Sequence, residues 1–581
     1  MNRQVGCAGL LALAVVLQGY GEAARADDRE DWRRGHHGRP VTGGPLRQAC
    51  EKLAASLSAP NTVFSSSTTV AAGALSIAGK PIPAHCLLTG KMFERVSPVD
   101  GKTYAIGFQM RLPLDWNGRF FYQANGGIDG AVVPATGNTS GGGPLTSALL
   151  QGFAVISSDA GHAGPSPTFG IDPQARLDYG YQAVGKLTPM AKRVIRAAYG
   201  KRPDVSYIGG CSNGGRHTMV ASSRYADQYD GYLVGAPGFN LPKAAVANMY
   251  GAQQYAPLAT NPADLSTAWT QAERQLVSNK VLERCDALDG VADGLVQNVR
   301  ACQRAFSLAA DVPTCGGPRN GTCLSAAQKT AIGNIFAGPK DGAGQPIYAT
   351  FPFDSGHGAG GIAFWEFIAP LVLDSGAVGF IFKTPPANPV GFVGPVFTLT
   401  ANINELAEQI FATDDVYTES GMSFMTPPRP DRIDDKLRRN GGRMIVYHGV
   451  SDPIFSVDDT TAWYRKLKHS GKHDGRDRHD DDDHGASDVV RLFHVPGMGH
   501  CGGGPSTDQF DLLTALVEWV EKRRAPKHVV ASARGPGNVG GVNPEVPVGW
   551  AADRTRPLCS YPRIARYQGG DVERAASFLC K

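Results

Sequence analysis

Short apolar runs alternate with helical periodicity over the first half of the chain. Runs typical of buried strands end at turns rich in glycine or serine, and they lie at 120–122, 153–156, 205–208 and 232–234. Apolar residues recur at helical spacing from Leu187 to Ala198, and residues 215–229 can form a further helix. This alternation, visible from about residue 104, predicts an α/β fold with a mostly parallel sheet covered by helices.

The alternation stops after Pro237 and resumes near residue 441. Residues 238–440 are rich in glycine, proline, short helical patches and clustered aromatics, whereas 444–447 has strand character and 508–522 has helical character. We therefore predict one sheet domain, over 45–237 and 441–581, interrupted by a lid domain over 238–440. A second independent domain in the same stretch is the alternative.

The N-terminus has the pattern of a targeting segment. Arg3 precedes an apolar run from Val5 to Leu17, and Ala24-Arg25-Ala26 is an A-x-A cleavage site, which together predict a signal peptide over 1–26. The run is shorter than the ~20 residues that a membrane span needs. Residues 27–44 are charged and glycine-rich, which predicts a disordered lead-in. We expect a secreted or periplasmic protein without a membrane partner.

Composition narrows the possible partners only slightly. The 581 residues carry a net charge of +4, which gives no support for a nucleic-acid partner, and they do not define an oligomeric state. The stretch 468–484 includes His479-Asp480-Asp481-Asp482-Asp483-His484. Such a run can bind a metal, but a solvated loop is its ordinary structure.

Export changes the interpretation of the cysteines. Removing Cys7 with the signal peptide leaves ten, and an even number in an oxidising compartment suggests five disulfides. Short loops favour Cys285–Cys302, Cys315–Cys323 and Cys559–Cys580. Four cysteines then remain to be paired, namely Cys50, Cys86, Cys211 and Cys501.

A serine motif supplies the candidate chemistry. Residues 210–214 fit the G-x-S-x-G nucleophile elbow, placed between an apolar strand and a helix, with Ser212 as the nucleophile. Asp452 follows the predicted strand 444–447, and His500 lies in a glycine-rich turn after the apolar patch 489–495. The order Ser, Asp, His is the order of the α/β-hydrolase triad, so these residues are the expected nucleophile, acid and base.

Two cysteines flank this candidate triad. Cys211 precedes the serine and Cys501 follows the histidine, so a bond between them would hold nucleophile and base close together. That pairing leaves Cys50 with Cys86. The competing hypothesis, that Cys211 is itself a thiolate nucleophile, fits an oxidising compartment poorly.

The sequence resembles the tannase/feruloyl esterase family, which includes feruloyl esterases, tannases and a mono(2-hydroxyethyl) terephthalate hydrolase. The resemblance rests on the CS-D-HC arrangement around Ser212, Asp452 and His500, together with 125–127 and 496–504. It implies an α/β-hydrolase core, an inserted lid that contacts the substrate, and hydrolysis of esters of aromatic acids.

Two further sites follow as expectations. Oxyanion stabilisation should come from the backbone N–H groups of Asn213 and of Gly126. Gly127 is the alternative second donor. The competing interpretation is that these glycines only form a tight turn. An acidic loop between Cys285 and Cys302 suits calcium or is simply solvated. The family resemblance implies structural calcium there, bound by Asp286, Asp289 and Asp293 and by the carbonyls of Val291 and Leu295.

The expected function is therefore that of an exported serine carboxylesterase acting on a small-molecule aromatic ester, such as a feruloyl or galloyl ester. A terephthalate monoester is the alternative substrate, for which Lys383, Arg429 and Arg432 are candidate carboxylate partners in the lid. The lid aromatics suit a flat acyl group or form ordinary core: Phe364, Trp365, Phe367, Phe380, Phe382, Phe392 and Phe397. A metal-dependent hydrolase and a catalytically inactive binding protein are the remaining alternatives.

Overall fold

A computed structural model describes residues 40–139, 141–143, 147–470 and 488–581, with the backbone alone at 468–470. The predicted signal peptide, most of the predicted lead-in and most of the 468–484 run lie outside these residues. Thr42–Lys581 form one compact unit.

The described strands are numbered in chain order. They are β1 (Gly44–Pro45), β2 (Thr62–Val70), β3 (Ser76–Ile77), β4 (Lys80–Pro81), β5 (His85–Val96), β6 (Thr103–Pro113), β7 (Asp115–Trp116), β8 (Arg119–Gln123), β9 (Ala154–Ser158), β10 (Val205–Cys211), β11 (Gly231–Gly235), β12 (Arg443–Gly449), β13 (Val490–Val495), β14 (His528–Ser532), β15 (Thr555–Cys559), β16 (Ala565–Tyr567) and β17 (Phe578–Cys580).

The described α-helices are numbered in the same way. They are α1 (Cys50–Ser56), α2 (Pro173–Leu177), α3 (Ala183–Tyr199), α4 (Asn213–Arg224), α5 (Leu241–Tyr255), α6 (Gln271–Cys285), α7 (Val299–Ala305), α8 (Leu308–Asp311), α9 (Ala326–Ala337), α10 (Gly394–Thr400), α11 (Ile403–Gln409), α12 (Gly421–Met425), α13 (Ile433–Asn440), α14 (Val457–Ser470) and α15 (Leu512–Lys522). Four wider, π-type turns lie at Asp178–Gln182, Phe364–Ile368, Pro370–Asp374 and Ala377–Phe382.

One nine-stranded sheet organises the molecule, in the order β13-β12-β11-β10-β8-β9-β6-β5-β2. The six strands from β13 to β9 are parallel to one another. β6, β5 and β2 continue the sheet as antiparallel strands. The α/β fold class predicted from the sequence is confirmed by this central, mostly parallel sheet.

Burial explains which strands the sequence pattern identified. Every residue of β9, β10 and β11 is buried, as expected for parallel strands covered on both faces, so these strands are apolar runs. β2 alternates between half-buried and exposed positions and contains serine and threonine, so it has no apolar run. The sheet consequently begins about forty residues before residue 104, where the sequence pattern first indicated it.

Two predicted helices have different ends in the structure. The helix predicted over 215–229 is α4, which begins immediately after Ser212 at Asn213 and ends at Arg224. The helix predicted over 508–522 begins only at Leu512, because the Asp511 side chain accepts the backbone N–H of Thr514 and so caps it. The predicted helical stretch 187–198 lies within α3.

The chain leaves the sheet after β11 and returns at β12, although these two strands are neighbours. The residues between them, 236–442, are called the insert below. In the described structure the insert adds α5–α13 but no strand to the main sheet. Its apolar core includes Trp269, Val277 and Ile332. The predicted lid limits, 238–440, remain a prediction. No helix in the described part of the chain is both long and apolar enough to span a membrane.

Candidate active site

Ser212 lies in a tight turn between β10 and α4. Its backbone has φ 64° and ψ −128°, a strained conformation for a residue with a side chain. The flanking glycines permit this turn, because a Cβ at Gly210 or Gly214 would lie 2.2 or 2.3 Å from the carbonyl oxygen of Ala124. The G-x-S-x-G segment therefore has the strand–turn–helix geometry of a nucleophile elbow.

His500 connects this serine to a carboxylate. Its Nε2 lies 2.8 Å from Ser212 Oγ, and its Nδ1 lies 2.8 Å from Asp452 Oδ2. With Nδ1 protonated toward the carboxylate, Nε2 is free to accept the serine proton. The structure thus brings together the three residues that the sequence order selected.

Asp452 is held as an ionised acceptor. Its side chain is fully buried, and Oδ1 accepts the backbone N–H groups of Ile454 and Phe455 at 3.0 and 3.1 Å. Burial alone would raise its pKa, but the imidazoles of His500 and His448 outweigh burial and keep the pKa well below its ordinary value. His448 Nε2 lies 3.4 Å from Asp452 Oδ2. His448 belongs to no sequence motif, so sequence reasoning gave it no role.

A disulfide joins the nucleophile and base loops. Cys211 and Cys501 are bonded, with 6.1 Å between their Cα atoms and a sequence separation of 290. The other bonds are Cys50–Cys86, Cys285–Cys302, Cys315–Cys323 and Cys559–Cys580, so the structure contains the five pairs expected from the sequence. Because Cys211 is in a disulfide, no free thiolate competes with Ser212 at this turn.

The expected oxyanion donors flank the serine. Asn213 is the first residue of α4, and a Cβ added to Gly126 would lie 3.7 Å from the Cβ of Ser212. Within the described residues, the backbone N–H groups of Gly126 and Asn213 donate no hydrogen bond. Gly127 has φ 64° and its carbonyl accepts the Tyr179 hydroxyl at 3.3 Å. Two unused donors thus lie beside the nucleophile, as an oxyanion hole requires.

The insert supplies a buried carboxylate to the loops that carry the acid and the base. Asp354 Oδ2 accepts the Ser451 hydroxyl at 2.6 Å and the backbone N–H of Gly497 at 2.8 Å. Ser451 precedes Asp452, and Gly497 is three residues before His500. Sequence reasoning missed Asp354, because it belongs to no motif and acts only through tertiary contacts.

Two aromatic rings flank His500. Trp365, from the insert, and Phe455 meet the imidazole edge-to-face, with ring centroids 4.7 and 5.3 Å away. Of the other lid aromatics, Phe367, Phe380 and Phe382 are buried, Phe364 is exposed, and Phe392 packs between Phe380 and Phe397. Among the seven aromatic residues of the predicted lid, Trp365 alone makes a ring contact with His500 in the described structure.

The candidate carboxylate partners in the lid have other partners. Lys383 donates to the carbonyl of Pro385 at 2.5 Å. Arg429 and Arg432 are exposed and form ion pairs with Asp431 and Asp435. None of these contacts directs a cation toward Ser212.

The acidic loop has a mixed set of contacts. Asp286 accepts the backbone N–H groups of Asp293 and Gly294, both at 2.9 Å, and Asp293 forms an ion pair with Arg556. Asp289 Oδ1 accepts the N–H of Val291, whereas its buried Oδ2 has no hydrogen-bond partner among the described residues. Leu295 is buried, and its N–H donates to Asp293.

Electrostatics favours a cation at Asp289. Burial, followed by the charges of Asp293 and Asp286, raises the pKa of Asp289 to about 7, and burial also raises the pKa of Asp286. Yet no group of three or more His, Cys, Asp or Glu side chains in the described ranges has a ready metal-binding arrangement. Of the three carboxylates in the described loop, Asp289 alone keeps an oxygen without a hydrogen-bond partner, while Asp293 is engaged by Arg556.

Comparison with known proteins places this site in a family. The family model described as tannase and feruloyl esterase matches residues 86–581. A mono(2-hydroxyethyl) terephthalate hydrolase of Piscinibacter sakaiensis is 37% identical over 541 residues, covering 86% of this chain and 85% of that protein. A probable feruloyl esterase B-1 of Neosartorya fischeri is 27% identical over 483 residues, covering 79% of this chain and 80% of that protein.

Solved structures agree in fold. The feruloyl esterase B of Aspergillus oryzae matches with a TM-score of 0.71 and 23% identity, covering 92% of this chain and 99% of that one. The tannin acyl hydrolase of Aspergillus niger matches with a TM-score of 0.66 and 19% identity, covering 93% and 96%. The predicted α/β-hydrolase fold and the family resemblance are confirmed. The chain belongs to the tannase and feruloyl esterase family and is a carboxylic ester hydrolase.

Proposed function

We propose that the protein hydrolyses esters of aromatic acids through an acyl-enzyme formed on Ser212. The observation that carries this proposal is the continuous contact chain from Ser212 Oγ through His500 to Asp452, with 2.8 Å at each step. Nucleophile, base and orienting carboxylate in this order perform acyl transfer on unrelated folds.

The first half of the reaction forms the acyl-enzyme. His500 Nε2 takes the hydroxyl proton as Ser212 Oγ attacks the ester carbonyl carbon, and Asp452 stabilises the resulting imidazolium. The N–H groups of Asn213 and Gly126 bind the negative oxygen of the tetrahedral intermediate. The carbon–oxygen bond to the alcohol then breaks, and the alcohol leaves with the proton from His500.

The second half repeats these roles with water. His500 takes a proton from water as its oxygen attacks the acyl carbon, and the same two N–H groups bind the second oxyanion. Breaking the bond to Ser212 returns the proton to the serine and releases the acid. Each residue is therefore restored to its starting protonation state.

An aromatic acyl group is supported by the surroundings of the base. Trp365 and Phe455 meet His500 edge-to-face, so apolar aromatic surface lies next to the base. The relatives named above include feruloyl esterases and a tannin acyl hydrolase, which favours phenolic acids.

A terephthalate monoester is the second candidate. The 37% identical relative named as a mono(2-hydroxyethyl) terephthalate hydrolase favours it. The free carboxylate of that substrate would need a cation or several hydrogen-bond donors. Lys383, Arg429 and Arg432 each have another partner, so the phenolic ester remains our preferred substrate.

The test is initial-rate hydrolysis by the mature protein, with Ser212→Ala as the matched control. The panel holds methyl ferulate, methyl gallate, mono(2-hydroxyethyl) terephthalate and p-nitrophenyl acetate. We expect phenolic esters to have the highest kcat/KM and the variant to lose at least ~10⁴-fold in kcat. Ser212-independent turnover would refute the mechanism. Activity on p-nitrophenyl acetate alone would refute the aromatic-acid class, and a preference for the terephthalate monoester would select the second candidate.

We also propose a structural calcium ion at the acidic loop, supported by Asp289 Oδ2, which has no hydrogen-bond partner among the described residues, and by the nearby charges of Asp293 and Asp286. Side-chain oxygens of Asp286, Asp289 and Asp293 would hold it with the carbonyls of Val291 and Leu295. Bound there, the ion would neutralise the carboxylates and brace the loop. Calcium titration of chelator-treated protein by calorimetry tests the site, with Asp289→Asn as control. Identical heats for both proteins would refute it.

The proposed location of the protein is an oxidising compartment outside the cytoplasm. Five disulfides in the described structure support it, because such bonds persist where thiols are not kept reduced. The predicted signal peptide over 1–26 agrees with this location. N-terminal sequencing of the exported protein should begin at Asp27, and retention of residues 1–26 would contradict the prediction.

A further inference from the structure

We propose that Asp129 is a positioning residue that holds the two donors of the oxyanion hole in one unit. This inference rests on the proposed function, since it concerns how Gly126 and Asn213 are kept in place for the oxyanion. It assigns a role to a buried carboxylate that contacts neither Ser212 nor His500 in the described structure.

Asp129 is linked to the first donor through the backbone. It lies three residues after Gly126, and its N–H donates to the carbonyl of Gly126 at 3.4 Å. Its φ is 56°, a left-handed conformation that aspartate and asparagine tolerate better than other residues with a side chain. The turn that carries Gly126 thus closes on Asp129.

Asp129 is linked to the second donor through its side chain. Oδ2 accepts the Asn213 side-chain amide at 2.9 Å, so the residue whose backbone N–H is the other donor is tied to the same carboxylate. The Asn213 Oδ1 in turn accepts Arg216 Nε at 2.6 Å. Rotation of the Asn213 side chain is therefore blocked at both ends of its amide.

A buried group of side chains completes the link. His217 Nε2 lies 2.9 Å from Asp129 Oδ2, and Arg216 donates to the carbonyl of Gly180 at 2.6 Å. The side chains of Asp129 and His217 are only 2% and 4% exposed, so neither is available to a substrate. Asp129 consequently acts on the reaction only through the groups that it holds.

Charge in this group is balanced by Arg216. Burial raises the pKa of Asp129 and lowers the pKa of His217, and Arg216 acts in the opposite direction on Asp129. Whether the shared proton lies on Oδ2 or on Nε2, Oδ2 keeps a lone pair for the Asn213 amide. Loss of this acceptor leaves the NH₂ of the buried Asn213 with only its longer contact to His217 Nε2, at 3.3 Å, which favours a changed position of the α4 N-terminus.

Two replacements of Asp129 separate hydrogen bonding from other effects. Asparagine tolerates the backbone conformation, and its carbonyl oxygen, in the place of Oδ2, can accept both the Asn213 amide and the Nε2–H of His217. Alanine removes the acceptor. Because loss of a whole oxyanion donor costs ~10²–10³-fold in kcat, displacement in Asp129→Ala should lower kcat by about 10–100-fold with KM little changed. Asp129→Asn should restore most of this loss.

The decisive readout is binding of a trifluoromethyl ketone analogue of the preferred ester, which forms a tetrahedral oxyanion on the serine. Its affinity should fall in Asp129→Ala by the same factor as kcat, whereas affinity for the free product acid should not change. An equal loss of affinity for the analogue and for the product acid, or an unchanged kcat in Asp129→Ala, would overturn the proposal.

Asn213→Ala keeps the backbone donor and removes the amide, so it serves if Asp129→Ala does not fold. It should show the same selective loss of analogue binding, and unchanged analogue binding would overturn the link. When both variants fold, the double variant should lose no more analogue affinity than the single variant with the larger loss. Additive losses would overturn the proposed action of Asp129 through Asn213.

Asp159→Asn is the matched control, because Asp159 is a second buried carboxylate and accepts the N–H groups of Gly107 and Gly161, both at 2.9 Å. Its kcat should stay within about twofold of the wild type, since removing the Asp159 charge, which raises the pKa of Asp129, leaves the Asp129–Asn213 hydrogen bond in place. An equal loss in this control would overturn the specific role of Asp129. Absence of Ser212-dependent turnover in the wild type, measured first, would instead refute the proposed function.

Discussion

The strand ends and the insert contribute to the same site in different ways. Ser212, Asp452 and His500 follow β10, β12 and β13, so the order of parallel strands places them at one edge of the sheet. Asp354 and Trp365 come from the insert and reach the triad loops only by tertiary contact. The sheet edge thus carries the reacting groups, whereas the insert aligns them and forms a wall beside them.

This difference implies different consequences of mutation. Changing a reacting group at a strand end removes a step of the chemistry, because each group transfers or stabilises charge directly. Changing a residue of the insert leaves the triad residues in place but changes their alignment, the stability of the fold or the selectivity for substrates. Four substitutions test this division, in order of decreasing expected effect.

Asp452→Asn should have the largest effect. An amide in place of the carboxylate can donate to Nδ1 and so favours the His500 tautomer that cannot accept the Ser212 proton. We expect kcat to fall by about 10⁴-fold, measured with the preferred ester at pH 7–8. Asp459→Asn, at a half-buried carboxylate that accepts the Asn240 side-chain amide, should retain activity. More than a tenth of wild-type kcat in Asp452→Asn would break the assignment of chemistry to the strand ends.

Asp374→Asn should stabilise the insert at high pH. Burial, partly offset by the Asn248 hydrogen bond, raises the pKa of Asp374 to about 8. The folded protein therefore keeps a proton that the unfolded chain loses above pH ~4, and stability declines as pH rises toward 8. At ~1.4 kcal/mol per pH unit, the variant should gain up to about 4 kcal/mol more at pH 8 than at pH 5.

Urea unfolding at the two pH values measures this gain. The exposed Asp431→Asn is the control and should leave the free energy of unfolding unchanged. An equal effect of Asp374→Asn at both pH values would contradict the origin in a buried proton.

Asp354→Ala should weaken both alignment and stability. The Ser451 hydroxyl and the Gly497 N–H would lose a shared buried acceptor, which we expect to cost about 3 kcal/mol in unfolding free energy. Turnover should fall by about tenfold, because the acid and base loops would lose their common anchor. Asp354→Asn, which keeps one acceptor oxygen, should have an unfolding free energy and a turnover between those of the wild type and Asp354→Ala. A stability loss with full kcat would show that the insert does not align the triad.

Trp365→Ala should have the smallest effect, and it should be selective. Loss of the aromatic wall should reduce kcat/KM for aromatic esters by about tenfold and for p-nitrophenyl acetate by much less. Trp365→Phe, which keeps a ring, is the matched control. An equal loss of kcat/KM for both ester types would show that Trp365 acts by positioning His500 rather than by contacting the acyl group.

The same division explains how much could be predicted from the sequence. Parallel strands covered on both faces are apolar runs, so β8 to β13 and the residues after them could be identified, and the elbow glycines marked Ser212. β2 has no apolar run, and β5 has only Cys86-Leu87-Leu88 before a stretch with polar and exposed positions, so both strands were missed. Asp354 and Asp129 act through partners distant in sequence, which no local pattern records.

The insert was the least predictable part. Its segments after residue 363 include wide turns at Phe364–Ile368, Pro370–Asp374 and Ala377–Phe382, which do not repeat with the period of an α-helix. Its aromatic cluster could be named but not divided into core and site. That division required the position of Trp365 against His500.

The bond between Cys211 and Cys501 makes residues 211–501 a covalent ring. A single proteolytic cut anywhere in this ring, including any cut in the insert, leaves the two fragments attached at the reaction centre, with Ser212 on one fragment and His500 on the other. Nicked protein would run at full mass without a reducing agent and as fragments with one. A protein exposed to secreted proteases would therefore keep its nucleophile and base joined after its surface has been cut.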